Sequence, residues 1–383
     1  MQNPDAKTHC QSCFAERYGD TPVVTASAPG RLEILGNHTD YNAGLTLSCA
    51  VGFRCYASIR LIDEPVVRLS STAFVDEPKL YPLNRLHSAA ADWTAYLLGL
   101  VRVLQLRGHV VPGFSMLIDS EVPASAGLSS SSAMEMAALT ALVEAIKIQL
   151  HPLDLAEIGQ QTEVQIVGAQ TGLLDPLSVL LGQADHLLGI DFQNLSTELY
   201  AMPPGWCFVA VDSGVKHDLT HEYNDRRSVC EAAAVAMGRP SLREVDFDCL
   251  YAHGSEMGEE AWRCARHVLT ENDRVRLAKR ALEQGDVARI GRLMFESHTS
   301  SRDDFRNSCD ELDVLIDYAR QDDRCVGARL SGGGFGGITI HLVREADASG
   351  YLGDLLGWCE DTWQEARWGK VCRIDQGARV ERC

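Results

Sequence analysis

The chain has 383 residues and carries 35 Lys and Arg against 53 Asp and Glu, a formal charge of −18. Such a surface repels nucleic acid and anionic lipid, so neither is an expected partner. With 45% hydrophobic and 23% charged residues the chain is globular rather than disordered, and its length predicts two domains.

The start, MQNPDAKTHCQSC, lacks a basic segment followed by an apolar run, and no stretch of eighteen apolar residues follows anywhere. This predicts no secretory leader, no membrane span and a cytoplasmic location. Thirteen cysteines spread along the chain cannot all pair, which also points to a reducing compartment. Cys10 and Cys13 form a CxxC beside His9. That is half a zinc site, a redox pair, or two thiols in a mobile tail; with no second CxxC or HxxxH, the tail is favoured. Residues 1–20 are read as that tail.

Strand-like runs follow at 23–28, 44–51, 55–62 and 66–71. Trp93 to Leu106 has helical apolar spacing, and 113–119 reads as a strand. Ser129 to Leu150 is predicted as one helix without interior Gly or Pro, with Met134, Ala137, Ala138, Ala141, Leu142 and Ala145 on one stripe. The MPPGW segment (202–206) reads as a boundary between a first domain (21–201) and a second (205–383). Beyond the strand 207–214 come several helical stretches, then GARLSGGGFGGITIHLV (327–343), a strand, glycine turn and strand. Helices and strands alternate without a βαβ rhythm, so the expected class is two α+β domains rather than a doubly wound parallel sheet.

Three glycine-marked segments carry the chemistry. VPASAGLSSSSAMEMA (122–137) enters a helix through a Gly-Ser loop, whose free N–H groups and helix dipole suit phosphate. An acidic protein needs such a local device for an anion, and phosphate is favoured here over a plain linker or cap. No Gly-Lys-Ser/Thr is present, so this is not a Walker loop. LSGGGFGG (330–337) precedes a strand, which argues against a dinucleotide fingerprint and for close backbone approach or a tight hairpin. APGRLEILGNHTDYNAG (28–44) reads as a loop rich in donors and acceptors, suited to a polyhydroxylated ligand or simply a solvated turn.

Together and in this order, GRLEILGNHTDYN, GLSSSSA and GGGFGG resemble the motifs of the galactokinase branch of the GHMP small-molecule kinases. HEYNDRRSVCE (221–231), HVLTEN (267–272), ALEQGD (281–286) and ESHTSSRDDF (296–305) extend the likeness over roughly residues 20 to 345. The resemblance implies an α+β, two-domain GHMP-kinase-type fold with the active site in the cleft between domains. It implies an ATP- and Mg2+-dependent sugar 1-kinase that makes galactose 1-phosphate, acting on small molecules as a monomer or weak homo-oligomer. It places Asp175 as catalytic aspartate and Arg31 beside the reacting hydroxyl. Asn37, His38, Asp40, Gly172 and Tyr223 fall at sugar-binding positions. Trp93 and Tyr96 fall near adenine, and Ala126, Gly127, Leu128, Ser129, Ser130, Ser131 and Ser132 form the phosphate loop. Ser131 and Glu163, twelve residues before Asp175, fall at the metal positions.

Two departures bear on the sugar. The family has Asn where Glu33 stands and Glu where Asn37 stands, and Pro176 replaces Gln beside the catalytic aspartate. A neutral Asn37 either opens the pocket to a carboxylate or leaves the local charge supplied from Glu33. Galactose is the expected substrate. The alternatives are galacturonate, N-acetylgalactosamine or L-arabinose, or a silent sugar and ATP sensor, against which Arg31, Ser131, Glu163 and Asp175 are all retained.

Overall fold

A computed structural model describes residues 5–74, 76–88, 92–123, 127–168, 171–215, 219–254 and 256–381. In chain order the first half contains α1 (Ala6–Tyr18), β1 (Val24–Leu35), β2 (Leu45–Ile62), β3 (Val66–Ser71), β4 (Lys79–Pro82), α2 (Thr94–Leu106), β5 (Gly113–Ser120), α3 (Ser130–Ala145), α4 (Pro152–Thr162), α5 (Leu174–Leu181), β6 (His186–Asp191) and β7 (Ser196–Ala201). The second half contains β8 (Trp206–Asp212), α6 (Leu219–Ala236), α7 (Phe247–His253), α8 (Glu259–Gln284), α9 (Val287–Ser300), α10 (Asp310–Gln321), β9 (Cys325–Ser331), β10 (Ile338–Arg344), α11 (Ala348–Trp363), β11 (Gly369–Cys372) and β12 (Arg379–Val380).

Two sheets result. The larger runs β12-β1-β2-β5-β3-β4, with the β6–β7 hairpin joined to β2, and among the described residues only the β3–β5 pairing is parallel. The smaller is antiparallel, in the order β11-β8-β10-β9. The strands change sheet across 202–205, the MPPGW segment. The halves remain interlocked, because β12 returns to pair with β1 and Val275, Ala278 and Leu282 of α8 join the core of the larger sheet.

Four sequence expectations are corrected. The runs 44–51 and 55–62 are one strand, β2, and the Gly52-Phe53 pair between them is a bulge: its β1 partners step from Pro29↔Arg54 to Gly30↔Val51. β1 runs on to Leu35, so half of the expected polar loop 28–44 is strand. Leu32 and Ile34 face the core with no exposure while Arg31 and Glu33 alternate to the other side, the period-2 pattern of a strand. The helix expected over 129–150 ends at Ala145. Lys147 adopts a left-handed φ of 58°, and Ile148 N–H turns back to the Val143 carbonyl at 3.0 Å, closing the last turn. α3 is also buried on more than one stripe, with Ala133, Glu135, Met136 and Leu139 enclosed as well as the alanine face.

The expected mobile tail is helix α1. Asp5 caps it by accepting from Thr8 N–H at 2.7 Å, and Cys10 and Phe14 are fully buried against Tyr56 and Leu117. Cys55, Ala57 and Ile59 point into the main core, so Tyr56 and Ser58 belong to the opposite face of β2, and α1 covers that face. Burying a Phe side chain contributes about 1.5–3 kcal/mol, enough to hold a three-turn helix in place.

Candidate active site

The alternation of β1 aims Arg31 and Glu33 into a cavity of about 340 Å3. From the first half it is lined by the phosphate-loop and 171–175 segments, and from the second by Tyr223, Asn224, Gly332 and Gly333. Arg31 grips Asp175 with two bonds, Nε to Oδ1 at 2.8 Å and Nη2 to Oδ2 at 3.0 Å, and its Nη1 donates to the Gly127 carbonyl at 2.6 Å. One guanidinium thus ties the aspartate to the phosphate loop. Ser129 donates its hydroxyl to the same Asp175 carboxylate rather than capping α3. Asp175 sits in the first turn of α5, where the helix dipole favours negative charge. Pro176 follows in that same turn, where an N–H has no helical partner, so replacing Gln there removes no helical bond.

At the other end of the loop, Ser131 donates to Glu163 Oε1 at 3.3 Å. Glu163 opens a widened, π-type turn, Glu163–Val167, that continues α4. Glu135, one turn beyond Ser131 on α3, is 1% exposed, lies against Glu163 and has an oxygen, Oε1, without any partner. Burial raises both carboxyls above the usual range; Glu163 adds to the rise of Glu135, and Asp175 to that of Glu163. Among the described residues no Lys or Arg pairs with either. A buried carboxyl pair with an orphaned oxygen and a neighbouring hydroxyl is the oxygen-only donor set that suits Mg2+, so these residues fit such an ion.

The loop after β1 folds in on itself and against the second half. His38 takes a φ of 58°; its Nε2 donates to the Gly333 carbonyl at 3.0 Å, which leaves Nδ1 to accept from Tyr41 at 2.8 Å. Burial lowers His38 to about 3, so the ring is neutral. Burial, then the charge of Glu33, raises Asp40 to about 7. A Cβ on Gly172 would sit 2.1 Å from Asp40 Oδ2, so glycine is required for that carboxyl to reach its place. Asn37 Nδ2 donates to Glu33 Oε1 at 3.0 Å and to the Gly332 carbonyl at 2.8 Å, and its Oδ1 accepts from Asn307 at 2.8 Å. Glu33 is backed by the fully buried Arg329, at 3.4 Å. The carboxyl missing from position 37 is therefore present one side chain deeper, in the same cavity wall.

The glycine turn 332–337 makes the close approach expected of it, to another loop: a Cβ on Gly334, whose φ is 82°, would lie 2.1 Å from the Asn307 carbonyl. HVLTEN and ESHTSSRDDF, which had no assigned role, form the backing. His267 donates to the Asn37 carbonyl at 3.1 Å, Glu271 accepts from Gly36 N–H at 2.8 Å, and Asn272 accepts from Leu45 N–H at 2.7 Å. Ser301 opens a second widened turn, Ser301–Phe305, and approaches Asn37 Oδ1 at 3.4 Å.

Of the predicted site residues, Arg31, Asn37, His38, Asp40, Gly127, Ser129, Ser130, Ser131, Gly172, Asp175 and Tyr223 line the cavity. Leu128 and Ser132 are buried behind it, and Ala126 lies outside the described residues. Trp93 does not line it and stacks on Phe74, with centroids 6.1 Å apart and planes at 12°. Tyr96 lies near Glu163 and Glu135, whose charges raise its hydroxyl further than burial alone. Sequence reasoning missed Glu135 and Asn224. The i, i+4 spacing of Glu135 from Ser131 was the available signal. Asn224, with a buried, unpartnered side-chain oxygen, follows Tyr223 directly.

Residues 12–61 match the family described as the galactokinase galactose-binding signature, 95–183 the GHMP kinases N terminal domain, and 278–350 the GHMP kinases C terminal. A galactokinase from Roseiflexus sp. (strain RS-1) is 36% identical over 370 residues, 95% of this chain and 94% of the relative. The chain belongs to the galactokinase family. The crystal structure of Lactococcus lactis galactokinase complexed with galactose superposes with a TM-score of 0.93 at 27% identity, covering 97% of this chain and 99% of the other. A mevalonate kinase from Methanococcus jannaschii shares the fold alone, with a TM-score of 0.67 at 17% identity over 92% and 98% of the two chains. The fold of this galactokinase-family member is thus the α+β GHMP-kinase fold, and the protein is a sugar kinase.

Proposed function

We infer that the protein transfers the γ-phosphoryl group of ATP to the anomeric hydroxyl of galactose. The observation that carries this is Asp175, held by Arg31 and Ser129 where the His38–Asp40–Tyr223 pocket meets the N-terminus of α3.

In the proposed mechanism the sugar lies between the 37–40 loop and Gly172, with its anomeric oxygen at Asp175. Phosphoryl transfer proceeds through a loose transition state, in which the nucleophile's proton leaves late. A late transfer needs no strong base, and the Asp175 carboxylate is placed to accept the proton. Arg31 keeps its charge and stabilises the negative charge that develops on the transferring group. The N–H groups of 127–132 and the α3 dipole hold the phosphates in place of a Walker lysine. Ser131 and Glu163, with Glu135 behind them, would hold Mg2+, which supplies charge neutralisation at the phosphates. Trp93 and Tyr96 are proposed at the adenine end.

ATP consumption measured across a panel of hexoses, uronic acids and amino sugars tests the reading. Turnover with galactose and none with galacturonate is expected; the reverse order would overturn the substrate assignment, and no turnover with any sugar would favour a sensor.

A further inference from the structure

The CxxC of the first helix has no part in the kinase cavity, yet its surroundings are organised. His9 and Cys13 stand four residues apart on one face of α1, with Cys13 Sγ 3.6 Å from His9 Nε2. The other ring nitrogen, Nδ1, lies 2.7 Å from Asp119 Oδ2 on β5, and Thr72 holds that carboxylate through Oδ1 at 2.6 Å. A carboxylate accepts and does not donate, so Nδ1 carries the hydrogen and Nε2 presents its lone pair to the sulfur. Cys13 is half-buried, and burial, Asp119 and Glu16 raise its thiol, so at rest the sulfur keeps its proton. The neighbouring Cys10 is fully buried against Ser58 and raised to about 12, which leaves it inert.

A second Cys–His pair at the same spacing supplies the contrast. Cys249 lies 3.9 Å from His253 Nδ1, but that nitrogen is also 2.9 Å from the Cys249 carbonyl. A carbonyl only accepts, so this nitrogen carries the hydrogen and cannot take a proton from the thiol. Two pairs with similar sequence spacing therefore present opposite faces of imidazole to sulfur. Among the described residues no group of three His, Cys, Asp or Glu is placed to hold a metal ion, which argues against zinc at either pair.

We propose that Cys13 is a nucleophilic modification site for small-molecule disulfides, with His9 as its general base and Asp119 as the residue that fixes the base's tautomer. As Cys13 Sγ attacks one sulfur of the disulfide, His9 Nε2 takes the thiol proton. The disulfide bond breaks, a mixed disulfide forms on Cys13, and the departing thiolate recovers the proton from His9 to leave as a thiol. Cys13 is oxidised by the disulfide it consumes, so no further reagent is needed. The site lies on the face of β2 and β5 covered by α1, and none of its residues lines the kinase cavity.

The full-length protein is treated with limiting bis(2-hydroxyethyl) disulfide, quenched and mapped by fragment-resolved mass spectrometry. Cys13 is expected to react at least about tenfold faster than Cys249 and Cys309, the half-buried comparison thiols. His9→Gln, a change at a half-exposed position, should bring Cys13 down to their rate while galactose turnover is unchanged. Asp119→Asn should do the same, because an amide that donates to Nδ1 moves the hydrogen onto Nε2. Labelling of Cys13 no faster than Cys249, or an unaltered rate in His9→Gln, would overturn the proposal.

Discussion

At the sugar end of the cavity, buried Glu33 lies with Arg329 and buried Glu271 with Arg274, 3.4 and 2.6 Å apart; at the phosphate end, buried Glu163 and Glu135 lie with each other. The difference shows in their protonation. Burial raises Glu33 despite Arg329, but at Glu271 Arg274 and Arg329 outweigh it and hold the group far below the usual range, whereas Glu135 is pushed well above it. A buried carboxylate that the protein neutralises is part of the architecture, and removing its cation costs about 3–5 kcal/mol. A buried carboxyl pair left without a cation is costly as it stands, and is completed only by something that binds. The sugar end is thus preassembled, while the phosphate end awaits a positively charged partner.

The largest test of the contrast falls on the residue between the two ends. Asp175→Asn keeps the shape but only one of the two bonds accepted from Arg31, because an amide nitrogen does not accept, and it cannot take the hydroxyl proton, so kcat should fall about 10²–10⁴-fold with galactose affinity nearly unchanged. Stopped-flow turnover with equilibrium galactose binding separates the two; near-normal kcat would move proton transfer elsewhere. Next, Glu163→Gln should raise the Mg2+ concentration for half-maximal rate at least about tenfold and weaken Mn2+ binding to the free protein similarly. An unchanged metal titration would make Glu163 structural.

Part of this contrast is legible in the sequence. The resemblance places Asp175 through GLLDP (172–176), and two of the motifs place Arg31 and the loop 126–132; the structure brings Asp175, Arg31 and Gly127, Ser129, Ser130 and Ser131 of that loop to one cavity. What was not legible lies in long-range pairing. Arg329 meets Glu33, and Glu271 and His267 meet the 36–38 loop, each across more than 200 residues, and no local period announces that. The end of β1 is masked by the density of polar residues in 28–44, although the Arg31–Glu33 against Leu32–Ile34 alternation is present in the sequence. Helix α1 is not legible because its apolar stripe is only Cys10 and Phe14, too sparse to register as amphipathic.

A smaller effect is expected at position 37, where the sugar end can be unbalanced. Asn37→Glu would place a second carboxyl beside Glu33, now 3.0 Å from the Asn37 amide, with Arg329 left to balance both. Two such charges at about 4 Å and an effective dielectric near 20 repel by about 4 kcal/mol, much of it relieved when one carboxyl takes up a proton. A fall of about tenfold in kcat/KM for galactose should remain. The double change Glu33→Asn with Asn37→Glu should recover most of that loss, since it restores one carboxyl and one amide in the same wall. If the double variant is as poor as the single, the two positions are not interchangeable and Glu33 has a role of its own.

The smallest expected effect is on stability against pH, where the buried histidines and the raised carboxyls should bend the curve in opposite directions. Burial lowers His38 to about 3 and His267 to about 4, so between those values and the ordinary histidine value the unfolded chain binds more protons. Stability therefore rises with pH up to about 6.5 and is lost as pH falls below it. Glu135 and Glu163 are raised, so above the ordinary carboxyl range the folded chain binds more protons and stability falls as pH rises toward their folded values. Between pH 7 and 8 Asp40, at about 7, and the raised Glu33 add to the same downward slope, so the part that reports the carboxyl pair is the part removed with Glu135. Its ceiling is about 1.4 kcal/mol per pH unit for one proton. Urea denaturation of the metal-free protein at pH 7 and 8 should show this decline, and Glu135→Gln should flatten it while leaving the acid limb untouched. Mg2+ with ATP should flatten it too, by binding the ionised pair. A slope identical in wild type and Glu135→Gln would mean that the pair is already compensated, and the distinction between the two ends of the cavity would fail.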